Sequence, residues 1–174
     1  MAPKGLKTTS SPLQISASVS ESALNTFSTE EIPLTLNVLD NEVFVVTQIN
    51  LDVQAPSAPG TPGNSASVSA SLSTTARTSV GSIANANVLG ASERIILSSA
   101  THSLVGFDRE DPLFSAISED YLGIVATNNM FLNIQANGSA IGQLKNCRVR
   151  VYGYRASASA SVYAALVQSE LLSA

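Results

Sequence analysis

Residues 65–77 read SASVSASLSTTAR, with Ala66, Val68, Ala70, Leu72 and Thr74 alternating with polar neighbours. A period of two puts the first set on one face of an extended strand and the serines on the other. Side chains this small on both faces favour close sheet packing or contact with another subunit.

The same alternation recurs along the chain. In LQISASVS, 13–20, Leu13, Ile15, Ala17 and Val19 share a face. In EVFVVTQINLDVQ, 42–54, Val43, Val45, Thr47, Ile49, Leu51 and Val53 share one, and Phe44 and Val46 lend the other partial burial. Further strands are expected at 32–39, 92–104, 121–127 and 130–137, and in NCRVRVYGYRAS at 146–157. Asp40 and Asn41 predict a turn that makes 32–54 a hairpin, and Asn128-Asn129 predicts a two-residue turn joining 121–127 to 130–137. APSAPGTPGN, 55–64, is too rich in proline and glycine for helix or central strand and reads as an exposed loop. GFDREDP, 106–112, reads as a charged loop, and 79–89 has room for a short helix. The tail SASVYAALVQSELL reads as strand to about Val162 and helix beyond, with strand throughout as the competing reading.

Roughly eight strand segments without strand–helix alternation give an all-β class, an antiparallel sandwich or barrel of single jelly-roll type with a short C-terminal helix as an option. Residues 12–174 are expected to form that domain and residues 1–11 a flexible N-terminal arm.

Composition narrows the function. Hydrophobic residues make up 44% and charged residues 13%, so the chain buries a core behind a weakly charged surface. Such a surface suits a protein covered by neighbours better than a monomeric enzyme. A net charge of −4 argues against general attraction to nucleic acid or anionic membrane. The lone Cys147 and lone His102 exclude an intrachain disulfide and a Cys/His zinc site. No stretch has the length of a membrane span or the pattern of a signal peptide, so synthesis in the cytoplasm without export is expected. Asn137-Gly138-Ser139 matches a glycosylation sequon but reads as a turn.

No catalytic motif is present, so no enzyme activity, catalytic residue, cofactor or small-molecule substrate is expected. Asp108, Glu110 and Asp111 around Arg109, with Glu119 and Asp120 beyond, are the residue types that hold a hard cation. The plainer reading is a solvated loop or an inter-subunit salt bridge, and no metal is expected. Asp108 and Glu119 could be drawn as a glycosidase pair, yet aromatic residues are 5% and tryptophan is absent.

In 146–157, Arg148, Arg150, Tyr152 and Tyr154 fall on one face, with Val149, Val151 and Gly153 on the other. Guanidiniums and rings together suit nucleic acid, an intrachain contact with acidic loops, or a face towards a neighbouring copy. With net charge −4, the protein contact is the favoured reading. The candidate interface residues are therefore Arg148, Arg150, Tyr152 and Tyr154, with Asp108, Arg109, Glu110 and Asp111 as carboxylate and guanidinium partners.

The alternating strands at 42–54, 65–77 and 121–155, the loop APSAPGTPGN and the polar arm resemble small single-β-barrel capsid proteins of icosahedral bacterial and archaeal viruses. That resemblance implies a virion structural protein whose barrels tile a shell through lateral contacts. Its partners would be copies of itself and a second capsid protein, with no specific nucleic-acid binding. A receptor- or glycan-binding β-sandwich on a phage or cell surface is the alternative.

Overall fold

The computed structural model describes residues 5–57, 61–101, 104–110, 121–138 and 142–172. Among these are ten strands and one helix: β1 (Leu6–Thr8), β2 (Leu13–Ser20), β3 (Ser28–Pro33), β4 (Glu42–Val53), β5 (Ser65–Ser73), β6 (Val88–Ser98), β7 (Leu104–Glu110), β8 (Gly123–Val125), β9 (Asn129–Gly138), β10 (Asn146–Ala158) and α1 (Ala160–Leu172). Within the segment expected as an arm, Leu6–Thr8 pair with Ala158–Ala156.

The strands form two antiparallel sheets. In the first, β10 has β4 on one side and β1 and β2 end to end on the other, and β4 continues to β8. The second runs β3-β9-β5-β6-β7. The order 2-10-4-8 over 3-9-5-6 is that of a jelly roll, in which the chain repeatedly crosses from sheet to sheet. This all-β sandwich with a C-terminal helix is the expected class.

Those crossings correct both expected hairpins. β3 pairs with β9 and β4 with β10, so 32–54 is a crossover. β8 pairs with β4 while β9 pairs with β3 and β5, so the turn at Asn128 also links different sheets. A short turn fixes a change of direction but not which edge the next strand joins. Two further expectations fail. Residues 106–110 belong to β7 rather than to a loop, and 79–87 form turns with no helix.

The main core lies between the sheets. From the first come Ile49, Leu51, Val149 and Val151, and from the second Val68, Leu72, Leu132 and Ile134. Complete burial of each such side chain contributes roughly 1.5–3 kcal/mol. Register along β10–β4 jumps from Tyr152↔Gln48 to Gly153↔Val46, leaving Thr47 as the extra residue of a bulge. The bulge reverses the facing of β4, so Phe44 and Val46 join Ile49 and Leu51 in the inter-sheet core.

Val43 and Val45 therefore point outward, where α1 covers them. They pack with Ala156 and Ala158 against Val162, Tyr163, Leu166 and Val167. The single alternating face expected for 43–53 is thus two faces, each buried against a different layer. The tail is helix from Ala160, which resolves its two readings.

Two buried carboxylates tie the ends of the sandwich. Glu21 accepts hydrogen bonds from the Ala136 N–H at 2.8 Å and the Lys145 N–H at 3.1 Å. At the other end Glu170 of α1 accepts from the N–H groups of Ala126 and Thr127. Each satisfies two backbone donors that the strand ladders leave over.

Candidate subunit-contact surfaces

β10 is the central strand of the first sheet, and its outward residues divide into two halves. Arg148 and Arg150 are exposed, Tyr152 is half-buried, and Tyr154 packs beneath α1 with Ala156. The four candidates share a face, yet the helix removes one ring from the surface and leaves a mostly guanidinium patch. A run of stacking rings, which a nucleic-acid platform needs, is absent from it.

Arg148 lies opposite Asp52 on β4, with 3.5 Å between guanidinium and carboxylate. Both are exposed, so the pair contributes about 0–1 kcal/mol. Arg150 lies opposite Asn50 and has no ion-pair or hydrogen-bond partner among the described residues. Together with Ser16, Ser18 and Arg94 they line an open depression of about 750 Å³. Arg94 comes from β6 of the opposite sheet, where no surface role is legible in the sequence.

Asp108 and Arg109 sit on β7, the outermost strand of the second sheet. Asp108 pairs with Arg94 at 3.6 Å, so one expected interface carboxylate is engaged within the chain. Alternation puts Arg109 on the other face, opposite Glu93. Glu110 ends β7 with its side chain outside the described residues, and Asp111, Glu119, Asp120 and His102 also lie outside them.

The outer face of this edge holds residues the sequence reading passed over. Leu97, Val105 and Phe107 are 41%, 46% and 52% exposed, and Leu104, on the opposite face at the start of β7, is 52% exposed. Ile95 lies opposite Phe107, and Leu97 opposite Val105. The alternation of VGF was legible, but its merger with the charged run that follows disguised it as loop.

The 74–87 loop folds over the outer face of the same sheet. The Gly81 N–H donates to Ser71 Oγ at 2.9 Å, and Arg77 holds Asn87 Oδ1 at 3.0 Å. Between loop and sheet is a depression of about 460 Å³ whose lining includes Val80, Ile83, Ala91, Glu93 and Arg109.

Cys147 is buried against the core, and burial, with a smaller contribution from the nearby Asp52 charge, pushes its thiol up to about 12. It acts as a small hydrophobe at neutral pH. Among the described residues no group of three His, Cys, Asp or Glu could hold a metal ion. No helix among them is long and apolar enough to cross a membrane.

No protein-family model matches the chain, and no curated protein matches it. A solved structure to which it is similar is that of Desmodium yellow mottle tymovirus, at 12% identity over 91% of this chain and 93% of that one, with a TM-score of 0.28. The organism is a plant virus rather than a bacterial or archaeal one.

Proposed function

We propose that this chain is a virion structural protein, which associates with copies of itself as a capsid or capsid-associated subunit. The observation that carries the reading is the outer edge of the second sheet. There Leu104, Val105 and Phe107 of β7, which pairs on one side only among the described residues, and Leu97 of the adjoining β6 stand 41–52% exposed. Proteins blunt or cover such edges, because apolar side chains beside open backbone donors and acceptors recruit another chain. A surface with few charges lowers repulsion between copies, and repeated modest contacts become collectively stable in a closed assembly.

On this reading the work of the protein is mechanical. The barrels make lateral contacts, and a second capsid protein completes the shell of a bacterial or archaeal virus. Light scattering over a range of concentrations and salt levels, followed by negative-stain imaging, tests it. Defined multimers or closed particles are expected. A monomer at every concentration, with and without a co-expressed partner, overturns the reading in favour of a receptor- or glycan-binding module.

A further inference from the structure

We propose that Leu39 of one copy seats in the depression between the 74–87 loop and the outer face of β6 on the next copy, joining copies head to tail. The inference rests on the self-assembly reading and names one of its contacts.

The knob is the 3₁₀ turn Val38–Asp40, between β3 and β4. Leu39 is 92% exposed and Val38 50%. A leucine this bare is ordinary in a loose loop, but this turn is built. Asn37 Oδ1 accepts from the Leu39 N–H at 3.2 Å, and the Asn37 N–H donates to Glu42 Oε2 at 2.9 Å. Asn41 closes the turn at φ +50°, its N–H donating to the Val38 carbonyl at 3.1 Å. A side chain held out by a rigid turn loses little freedom when it docks.

The depression is suited to receive it. Val80, Ile83 and Ala91 supply an apolar lining, Ile83 being 63% exposed. Its 460 Å³ falls within the roughly 300–1,000 Å³ of sites that enclose small organic groups, so Leu39 and part of Val38 fit.

Charge selects the occupant. Arg109 lines the depression and has no ion-pair or hydrogen-bond partner among the described residues. The exposed Asp40, which accepts from Asn37 Nδ2, adjoins Leu39 in the turn, so a docked knob brings a carboxylate to the Arg109 guanidinium. Glu93, opposite Arg109 on β6, is the acidic group in the same lining; its carboxylate accepts from Ser69 Oγ at 3.0 Å and makes no ion pair with Arg109 among the described residues. Knob and pocket are different surfaces of one molecule. Their contact is therefore heterologous, and it closes into a ring or propagates.

The test uses Leu39→Asp and Ile83→Asp, both at exposed positions where folding is retained and is checked by melting temperature. Each variant alone is expected to associate roughly tenfold or more weakly than the wild type. An equimolar mixture has one intact knob and one intact pocket, so it should form 1:1 dimers through this contact, read by native mass spectrometry. Wild-type assembly that both variants match overturns the knob and pocket and leaves self-assembly standing. Variants that fail alone and gain nothing by mixing also overturn it, because they indicate a symmetric contact. A wild type that stays monomeric overturns the contact and the assembly reading together.

Discussion

Glu170 and Ala126 are joined by a 2.9 Å hydrogen bond that fastens the end of α1 to the turn between β8 and β9. The second carboxylate oxygen accepts from the Thr127 N–H at 3.1 Å. The cost of burying the charge outweighs these bonds, so the carboxyl titrates above the ordinary glutamate value of 4.5. In the folded state it holds its proton more tightly than in the unfolded chain. Its contribution is therefore full below the ordinary value and is lost as pH rises through the raised one. Glu170→Gln should flatten that part of the profile, measured as the difference in melting temperature from the wild type between pH 4 and pH 7. Parallel profiles would refute the assignment.

Gly153 is the β10 residue at the bulge. A Cβ there would come within 2.3 Å of the Val45 carbonyl oxygen and 2.7 Å of the Phe44 ring. Backbone cannot yield as a flexible side chain does, so Gly153→Ala should cost about 1–3 kcal/mol. Denaturant midpoints measure it, and an unchanged midpoint would show that the two strands separate freely at this point.

Removing the Glu21 side chain strands two buried N–H groups, those of Ala136 and Lys145. Glu21→Ala should lower stability by about 2–4 kcal/mol, well beyond the effect of a surface glutamate. Amide exchange at residues 136 and 145 should accelerate selectively.

Arg150 is exposed and unpaired among the described residues, so charge reversal there leaves the fold intact. Under the proposed function, Arg150→Glu weakens association several-fold with the melting temperature within a degree or two of wild type. Arg148→Glu should weaken it as well, and in addition gives up the pair with Asp52. Sedimentation at two salt concentrations reads both effects.

With its thiol pushed up to about 12 and its side chain buried, Cys147 should resist thiol reagents in the native protein. It should react completely once guanidinium unfolds the chain. Rapid labelling without denaturant would mean that β10 opens locally.

Much of this fold is legible as alternation, because one strand face meets the core and the other does not. Leu13–Ser20 behaves as its pattern says, and so does Ser65–Ser73 up to Ala70, beyond which the polar face is covered and Ser71 and Ser73 are buried. Alternation fails where a third layer intervenes: α1 buries Val43 and Val45 from outside, and the bulge at Thr47 turns Phe44 inward. Pairing is hidden for a different reason. Nothing local in Asn128-Asn129 distinguishes a hairpin from a crossing between sheets. At the candidate surfaces, Arg148 and Arg150 follow from strand periodicity, whereas Arg94, Ile83 and Leu39 gain meaning only from neighbours distant in sequence.

The central place of β10 has a consequence for how the chain is made. β2 and β4 do not pair with each other; both wait for β10, whose partners on them are some 94–140 residues earlier in the chain. All five strands of the second sheet leave the ribosome before β10 does. Translation at about 5–20 residues per second leaves the first sheet without its middle for seconds. During that interval Ile49 and Leu51 lie on a stretch of β4 that has no partner, since β8 reaches only residues 44–46, and are open to equivalent strands on neighbouring nascent chains. Association before β10 arrives is thus a hazard, and assembly is safest for chains whose last strand has already closed the sandwich.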